Sequence, residues 1–258
     1  MNDGFYYDQR HAKTIASAEQ VLEIIWSHIQ PRSVIDVGCG VGTWGQVAKS
    51  FGATDVRGVD SHSVPKNERV LSPDEFFERD LTSPAALDGL NAELVICLEV
   101  VEHLPDAFSD QFVASLCNSA DVVLFSAAIP GQGGHGHINE KWQDIWAGIF
   151  ADHGYHAFDI VRPRVWGNPD LEIWYRQNTV VYSTVDGPLA RAGLTPVSPD
   201  NLAQLRLVHP KMTLSQPTSI PESKLAMLTW RLGRKMQFVS QTGRWSLPDA
   251  PVAKEETW

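Results

Sequence analysis

"VIDVGCGVGTWG", residues 34–45, sets Gly38, Gly40 and Gly42 directly behind an apolar run that Asp36 interrupts. A short continuous apolar run is how a buried parallel strand reads. Glycines permit the positive φ of a tight strand-to-helix turn and let a ligand approach the backbone. The stretch therefore predicts a strand over 33–37, a turn, and a helix over 43–51. It departs from the dinucleotide fingerprint G-x-G-x-x-G, because Thr43 stands where the third glycine belongs. An acid is a poor neighbour for a doubly charged pyrophosphate, whereas Asp36 suits a cationic or zwitterionic ligand.

The same grammar extends outward. Ahead of the turn, Ile15, Ala18, Val21, Leu22, Ile25 and Ile29 recur every three or four residues, the face of an amphipathic helix over 14–30 that Pro31 cannot continue. Behind it, strands are expected over 55–59, 76–79, 94–98, 122–128, 157–161 and 178–183, and helices over 108–119 and 140–151. Strands alternating with helices imply an α/β fold, a parallel sheet with helices on both faces. Ligands of such sheets sit beyond the carboxyl ends of the strands, near the point where strand order reverses. The residues expected on that rim are Asp36, Asp60, Asp80 and Glu99. Asp60 follows the turn by roughly 20 residues, the spacing at which an acid accepts from a ribose diol, and Asp80 would accept from an exocyclic amine. The rim suits an adenine nucleoside bearing a positive appendage.

Composition bounds the alternatives. The chain has 258 residues, 43% of them hydrophobic, enough for one sizeable α/β domain. A formal net charge of −10 argues against a nucleic-acid partner, whose affinity comes mainly from Lys and Arg. Cys39, Cys97 and Cys117 are too few and too scattered for a disulfide framework, and the apolar neighbours of Cys97 and Cys117 mark them as small core residues, fitting a reducing cytoplasm. No apolar leader opens the sequence, and no stretch approaches the roughly 18 apolar residues of a membrane span, so a cytoplasmic location is expected.

Four segments, "VIDVGCGVG" (34–42), "VRGVD" (56–60), "ERDLT" (78–82) and "LVICLEVVEHLP" (94–105), together resemble the class I S-adenosylmethionine-dependent methyltransferases over residues 14–183. The resemblance implies a Rossmann-like seven-stranded sheet with its last strand antiparallel, and S-adenosylmethionine as cofactor. By it Gly38 and Gly40 would lie against the methionine end, Asp60 would hold the ribose, Asp80 and Leu81 would flank the adenine, and Leu98 would pass near the sulfonium. Asp36 joins this set. "FSAAIPGQGGHGHINEKW" (125–142) and "WYRQNTVVY" (174–182) are similar to a bacterial subgroup of uncharacterised or sugar-pathway members.

Methyl transfer to a hydroxyl requires the acceptor to be aimed and its proton removed. Within "EVVEH", a helical turn would bring Glu99 beside Glu102 and His103, a set able to hold Mg or Mn; without a metal Glu99 would orient the loop near the cofactor, Glu102 would be solvated and His103 would cap or pack, and His103 is a candidate base in either case. The cluster resembles the E-x-x-E-H metal site of ubiquinone-pathway O-methyltransferases and of small-RNA 3′-end 2′-O-methyltransferases; in the latter a further histidine follows the fifth strand, where this chain has His135 and His137. The glycines of "GQGGHGHINEKW" imply a flexible acceptor-binding loop that carries His137 as second catalytic candidate, with His135 behind it, Asn139 near the helix start and Trp142 available to stack. Arg162, Arg164, Trp166, Trp174 and Arg176 would form a basic, aromatic acceptor pocket, with edge covering as the alternative role.

Three regions follow: a leading segment 1–13, in which Tyr6, Tyr7 and His11 would fold over the site or which would fray as a terminus, a methyltransferase domain 14–208, and a linker with a C-terminal helix over 225–239 and a tail, 209–258. Leu225, Leu228, Leu232 and Met236 share one side of that helix, which would dock on the domain or pair two chains as a homodimer. The expected reaction is O-methylation of a small molecule or saccharide precursor. Metal-assisted methylation of an RNA 3′ end, and a donor-binding partner subunit without catalysis, are the alternatives.

Overall fold

The computed structural model describes residues 3–61 and 64–212, with backbone alone over 3–12. Seven strands form one sheet in the order β3-β2-β1-β4-β5-β7-β6. They are β1 (Ser33–Val37), β2 (Asp55–Asp60), β3 (Phe76–Glu78), β4 (Leu94–Leu98), β5 (Val122–Ser126), β6 (Tyr155–Phe158) and β7 (Val180–Thr184). The first five pair in parallel, and β7 runs against both β5 and β6. Strand order reverses between β1 and β4, where Asp36 sits opposite Ile96 and Val37 opposite Cys97. The carboxyl ends of these two strands are thus the crevice where such sheets take ligands.

Helices cover both faces because strand residues alternate between two cores. Val34, Leu94, Ile96, Val122 and Leu124 pack with Leu22 and Ile25 of α1 (Asp3–Trp26), and with Trp44 and Val47 of α2 (Thr43–Ser50). Ile35, Val37, Val95, Cys97, Val123 and Phe125 pack on the other face with Phe112 and Leu116 of α3 (Ser109–Ser119) and Trp146 and Phe150 of α4 (Gln143–Asp152). Asp36 lies on the first face, buried to 3% exposure. Two short helices, α5 (Arg162–Val165) and α6 (Ile173–Asn178), join β6 to β7.

Several boundaries differ from expectation. α1 takes in residues 3–13 and stops at Trp26, where His28 N–H bonds the Ile25 carbonyl and tightens the last turn, so Pro31 is not what ends it. The last two strands occupy 155–158 and 180–184 rather than 157–161 and 178–183, because Asn178 closes α6 before the chain extends. α4 begins at Gln143, after Trp142 in extended conformation. Cys97 is fully buried, and all three cysteines are free. No described helix is long and apolar enough to cross a membrane. The helix read over 225–239, and with it the dimer contact, lies outside the described residues, as do the side chains of Tyr6, Tyr7 and His11.

Candidate functional site

The glycine turn is held from two sides. Gly38 N–H bonds the Val59 carbonyl at 2.8 Å, and Gly40 N–H donates to Asp60 Oδ2 at 2.7 Å, so the end of β2 clamps the turn leaving β1. Gly38, Gly40 and Gly42 have φ of 68°, 54° and 95°. A Cβ on Gly38 would lie 2.4 Å from Val100 Cγ2, whereas one on Gly40 would meet nothing within 4 Å, so Gly40 leaves room for a ligand. Asp36 also has a structural role. Its Oδ2 accepts from Gly45 N–H at 3.1 Å and thereby ties the start of α2 to β1.

Above the turn opens a cavity lined by Thr14, Asp36, Gly38, Cys39, Gly40, Val41, Thr43, Trp44, Leu98, Glu99, Trp174 and Tyr175. Of the expected donor set, Asp36, Gly38, Gly40 and Leu98 are in its wall. Asp60 adjoins through Gly40; its other oxygen accepts from Ser61 N–H at 2.6 Å, and burial raises its pKa. An ionised carboxylate keeps further lone pairs for hydroxyls. Asp80 is exposed and accepts from the amide and hydroxyl of Thr82, while Leu81 packs against the core. The composition of the wall fits a zwitterionic nucleoside: two carboxylates for a cation, an uncovered glycine backbone, and the edge-on pair Trp44–Tyr175 at 5.1 Å. Trp44 and Tyr175 escaped the sequence reading because their periodicity marks them only as core.

Burial pushes the pKa of Asp36 up to about 7, with the Gly45 amide opposing and Asp60 adding. The native protein therefore holds a proton that the unfolded chain releases near pH 4, and stability falls as pH rises from about 4 to 7. Compared with Asp36→Asn, the parent is expected to lose on the order of 2 kcal/mol more between pH 5 and 7 in urea unfolding. Parallel pH profiles would remove this role from Asp36.

Past β4 the backbone kinks. Glu99 has φ 56°, left-handed for a residue with a side chain, and its amide bonds Ser126. Its carboxylate is held by Asn178 Nδ2 at 3.0 Å and Gln132 Nε2 at 3.1 Å, and Asn178 also donates to Gln132 Oε1 at 3.0 Å. This polar clamp joins α6, the glycine loop and the cavity wall, and neither amide was foreseen. A 3₁₀ turn at Val101–His103 follows. Glu102 is fully buried, and neither carboxyl oxygen has a hydrogen-bond partner among the described residues. Burial first, and the Glu99 carboxylate second, push its pKa well above the usual carboxylate range.

The metal set expected from the sequence needs correction. Ligand atoms of Glu102, His103 and His137 lie within 4.8 Å of one another; Glu99, expected as a ligand, is committed to Asn178 and Gln132 instead. His137 joins because Ile138 and Asn139 donate their amides to the Glu102 carbonyl at 2.8 and 3.1 Å, which docks the loop on the turn. The His103 and His137 rings meet edge-on at 4.9 Å.

The loop glycines also serve a different purpose from the expected flexibility. Gly134 has φ 157°, and a Cβ there would fall 2.3 Å from His137 Nε2, so its glycine lets the backbone wrap the imidazole. His135 is exposed. Asn139 caps no helix: it is buried and donates to Ser109 Oγ at 2.9 Å.

The basic pocket is likewise not assembled. Arg162 is buried in a bidentate pair with Asp159, Arg164 contacts His28, and Trp166 packs on His209; Trp174 alone of that group lines the cavity. Arg176 is buried on α6.

A family model described as "Methyltransferase domain" matches residues 9–160. The ubiquinone biosynthesis O-methyltransferase of Vibrio vulnificus (strain YJ016) is 25% identical over 170 residues, covering 64% of this chain and 66% of that protein. The Vibrio parahaemolyticus enzyme of the same name aligns with the same values. The chain thus spans just under two thirds of these relatives' length. Among solved structures, an O-methyltransferase family protein from Burkholderia thailandensis superposes with a TM-score of 0.50 at 13% identity, over 69% of this chain and 58% of that one. A sugar N-methyltransferase from Streptoalloteichus sp. gives 0.50 at 17% identity, over 66% and 87%. Both share the fold.

Proposed function

We infer, from the premise that this chain belongs to the methyltransferase-domain family of S-adenosylmethionine-dependent enzymes, that its acceptor is a hydroxyl of a small molecule or saccharide precursor. The observation that carries this reading is the meeting of His103 and His137 on the turn and loop that adjoin the cavity wall at Glu99. Bound S-adenosylmethionine supplies an electrophilic methyl group on a sulfonium. The residues of the chain do the rest. Glu99 complements the positive charge, joined by Asp36 where it is ionised above about pH 7, the glycine backbone admits the amino-acid end, and Asp60 accepts from the ribose. An imidazole of the His103–His137 pair takes the acceptor proton as the oxygen attacks. The names of the Vibrio relatives, both O-methyltransferases, support a hydroxyl acceptor.

A second reading, in which the two imidazoles ligate a divalent cation instead of taking the proton, is favoured by the unpartnered Glu102 carboxyl beside them. Glu102, His103 and His137 would hold it, and it would acidify the acceptor hydroxyl as a Lewis acid. Saturable calorimetric binding of S-adenosylmethionine and S-adenosylhomocysteine is expected, weakened roughly ten- to a hundredfold by Asp60→Ala as charge-assisted hydrogen bonds to the ribose are lost. Incubation with hydroxylated acceptor pools should release S-adenosylhomocysteine. Donor binding with no turnover on phenolic and sugar pools would overturn the proposed acceptor class.

A further inference from the structure

We propose that Glu140 fixes the His137 ring so that Nε2 serves a cation shared with Glu102 and His103, and that this donor set takes a transition metal in preference to magnesium. The proposal rests on the cation reading above and goes beyond it in naming the orienting residue and the class of metal.

Glu140 is organised as no mere surface acid would be. Its Oε1 accepts from Gly133 N–H at 2.7 Å and its Oε2 from Gly131 N–H at 2.8 Å, so the loop closes around the carboxylate. The same Oε1 lies 3.3 Å from His137 Nδ1. An ionised carboxylate only accepts, so in the neutral imidazole Nδ1 carries the hydrogen and Nε2 keeps the lone pair. A carboxylate behind a histidine is the usual way of setting ring orientation and basicity in a metal ligand. The His137 side chain is 12% exposed and cannot readily reorient.

The ligand chemistry then decides the metal. Two imidazoles and one carboxylate converge, with the Glu102 carboxyl fully buried and without a hydrogen-bond partner among the described residues. Magnesium asks for oxygen ligands in near-ideal octahedral geometry, whereas imidazole suits zinc, iron, nickel and copper, and manganese accepts mixed sets. His103 is exposed, so the centre faces solvent and would leave positions for an acceptor oxygen. Glu99 would stay outside the shell, held by its two amides.

The test uses the full chain, stripped with chelator and titrated with Mn2+, Zn2+ and Mg2+ by calorimetry. Binding of one Mn2+ or Zn2+ per chain at least tenfold tighter than Mg2+ is expected. Equal affinity for Mg2+ overturns the metal preference. Glu140→Gln should weaken Mn2+ binding about ten- to a hundredfold while S-adenosylmethionine affinity stays within about twofold, which shows that the variant is folded. Unchanged Mn2+ affinity in that variant overturns the role of Glu140. Nitrogen-15 NMR of the metal-free wild type gives an arm that needs no variant: an Nδ1–H tautomer at His137 supports the proposal and an Nε2–H tautomer defeats it. A wild type that binds none of the three ions removes the cation reading itself, and leaves donor binding and methyl transfer to be judged separately.

Discussion

His137→Ala is expected to bind S-adenosylmethionine as tightly as the parent, within about twofold, and to turn over acceptor more slowly by a factor on the order of 10² to 10⁴. The cavity above the glycine turn is walled by that turn and by residues of α1, β1, β4, α2 and α6, and His137 contributes nothing to that wall. Its ring instead faces His103 at 4.9 Å and is braced by Glu140. Removing it takes away an acceptor-side group while leaving the glycine turn and Asp60 intact. His103→Ala should follow the same pattern. Donor calorimetry beside release of S-adenosylhomocysteine separates the two effects. If both variants keep kcat within threefold, the imidazole pair is not the acceptor machinery. A rate that chelator lowers in the parent but not in His137→Ala would assign the loss to the cation.

The second large effect is on stability. Asp159→Ala is expected to destabilise the fold by about 3–5 kcal/mol, because it strands a buried guanidinium. Arg162 is 1% exposed, its Nε and Nη2 each bond Asp159 at 2.8 Å, and its Nη1 bonds the Leu205 carbonyl at 2.9 Å. The pair therefore pins the start of α5 and the chain near residue 205 behind the end of β6. Urea unfolding would read the loss, and S-adenosylmethionine affinity of the folded fraction should stay near that of the parent. A variant of full stability with a raised acceptor KM would return Arg162 to an acceptor pocket.

These two cases divide along the same line as the whole molecule. Local rules made the sheet legible: the short apolar runs at 33–37, 94–98 and 122–128, alternating with helical patterns, read as doubly covered strands, and positive φ at Gly38, Gly40 and Gly42 is what three glycines behind a strand are for. The shared rim of Asp36, Asp60 and Glu99 followed, since strand ends of a parallel sheet share one edge. Pairing across long sequence distance was not legible. The sequence by itself determined the strand order's raw material, the glycine turn and the acids of the rim. Only the tertiary structure decided that Glu99 turns to Asn178 and Gln132, that His137 takes its place beside Glu102 and His103, and that Arg162 serves Asp159 rather than a ligand. The physical reason is that a backbone period fixes which face a residue occupies, whereas the partner of a polar side chain depends on which distant group packing brings within hydrogen-bond reach.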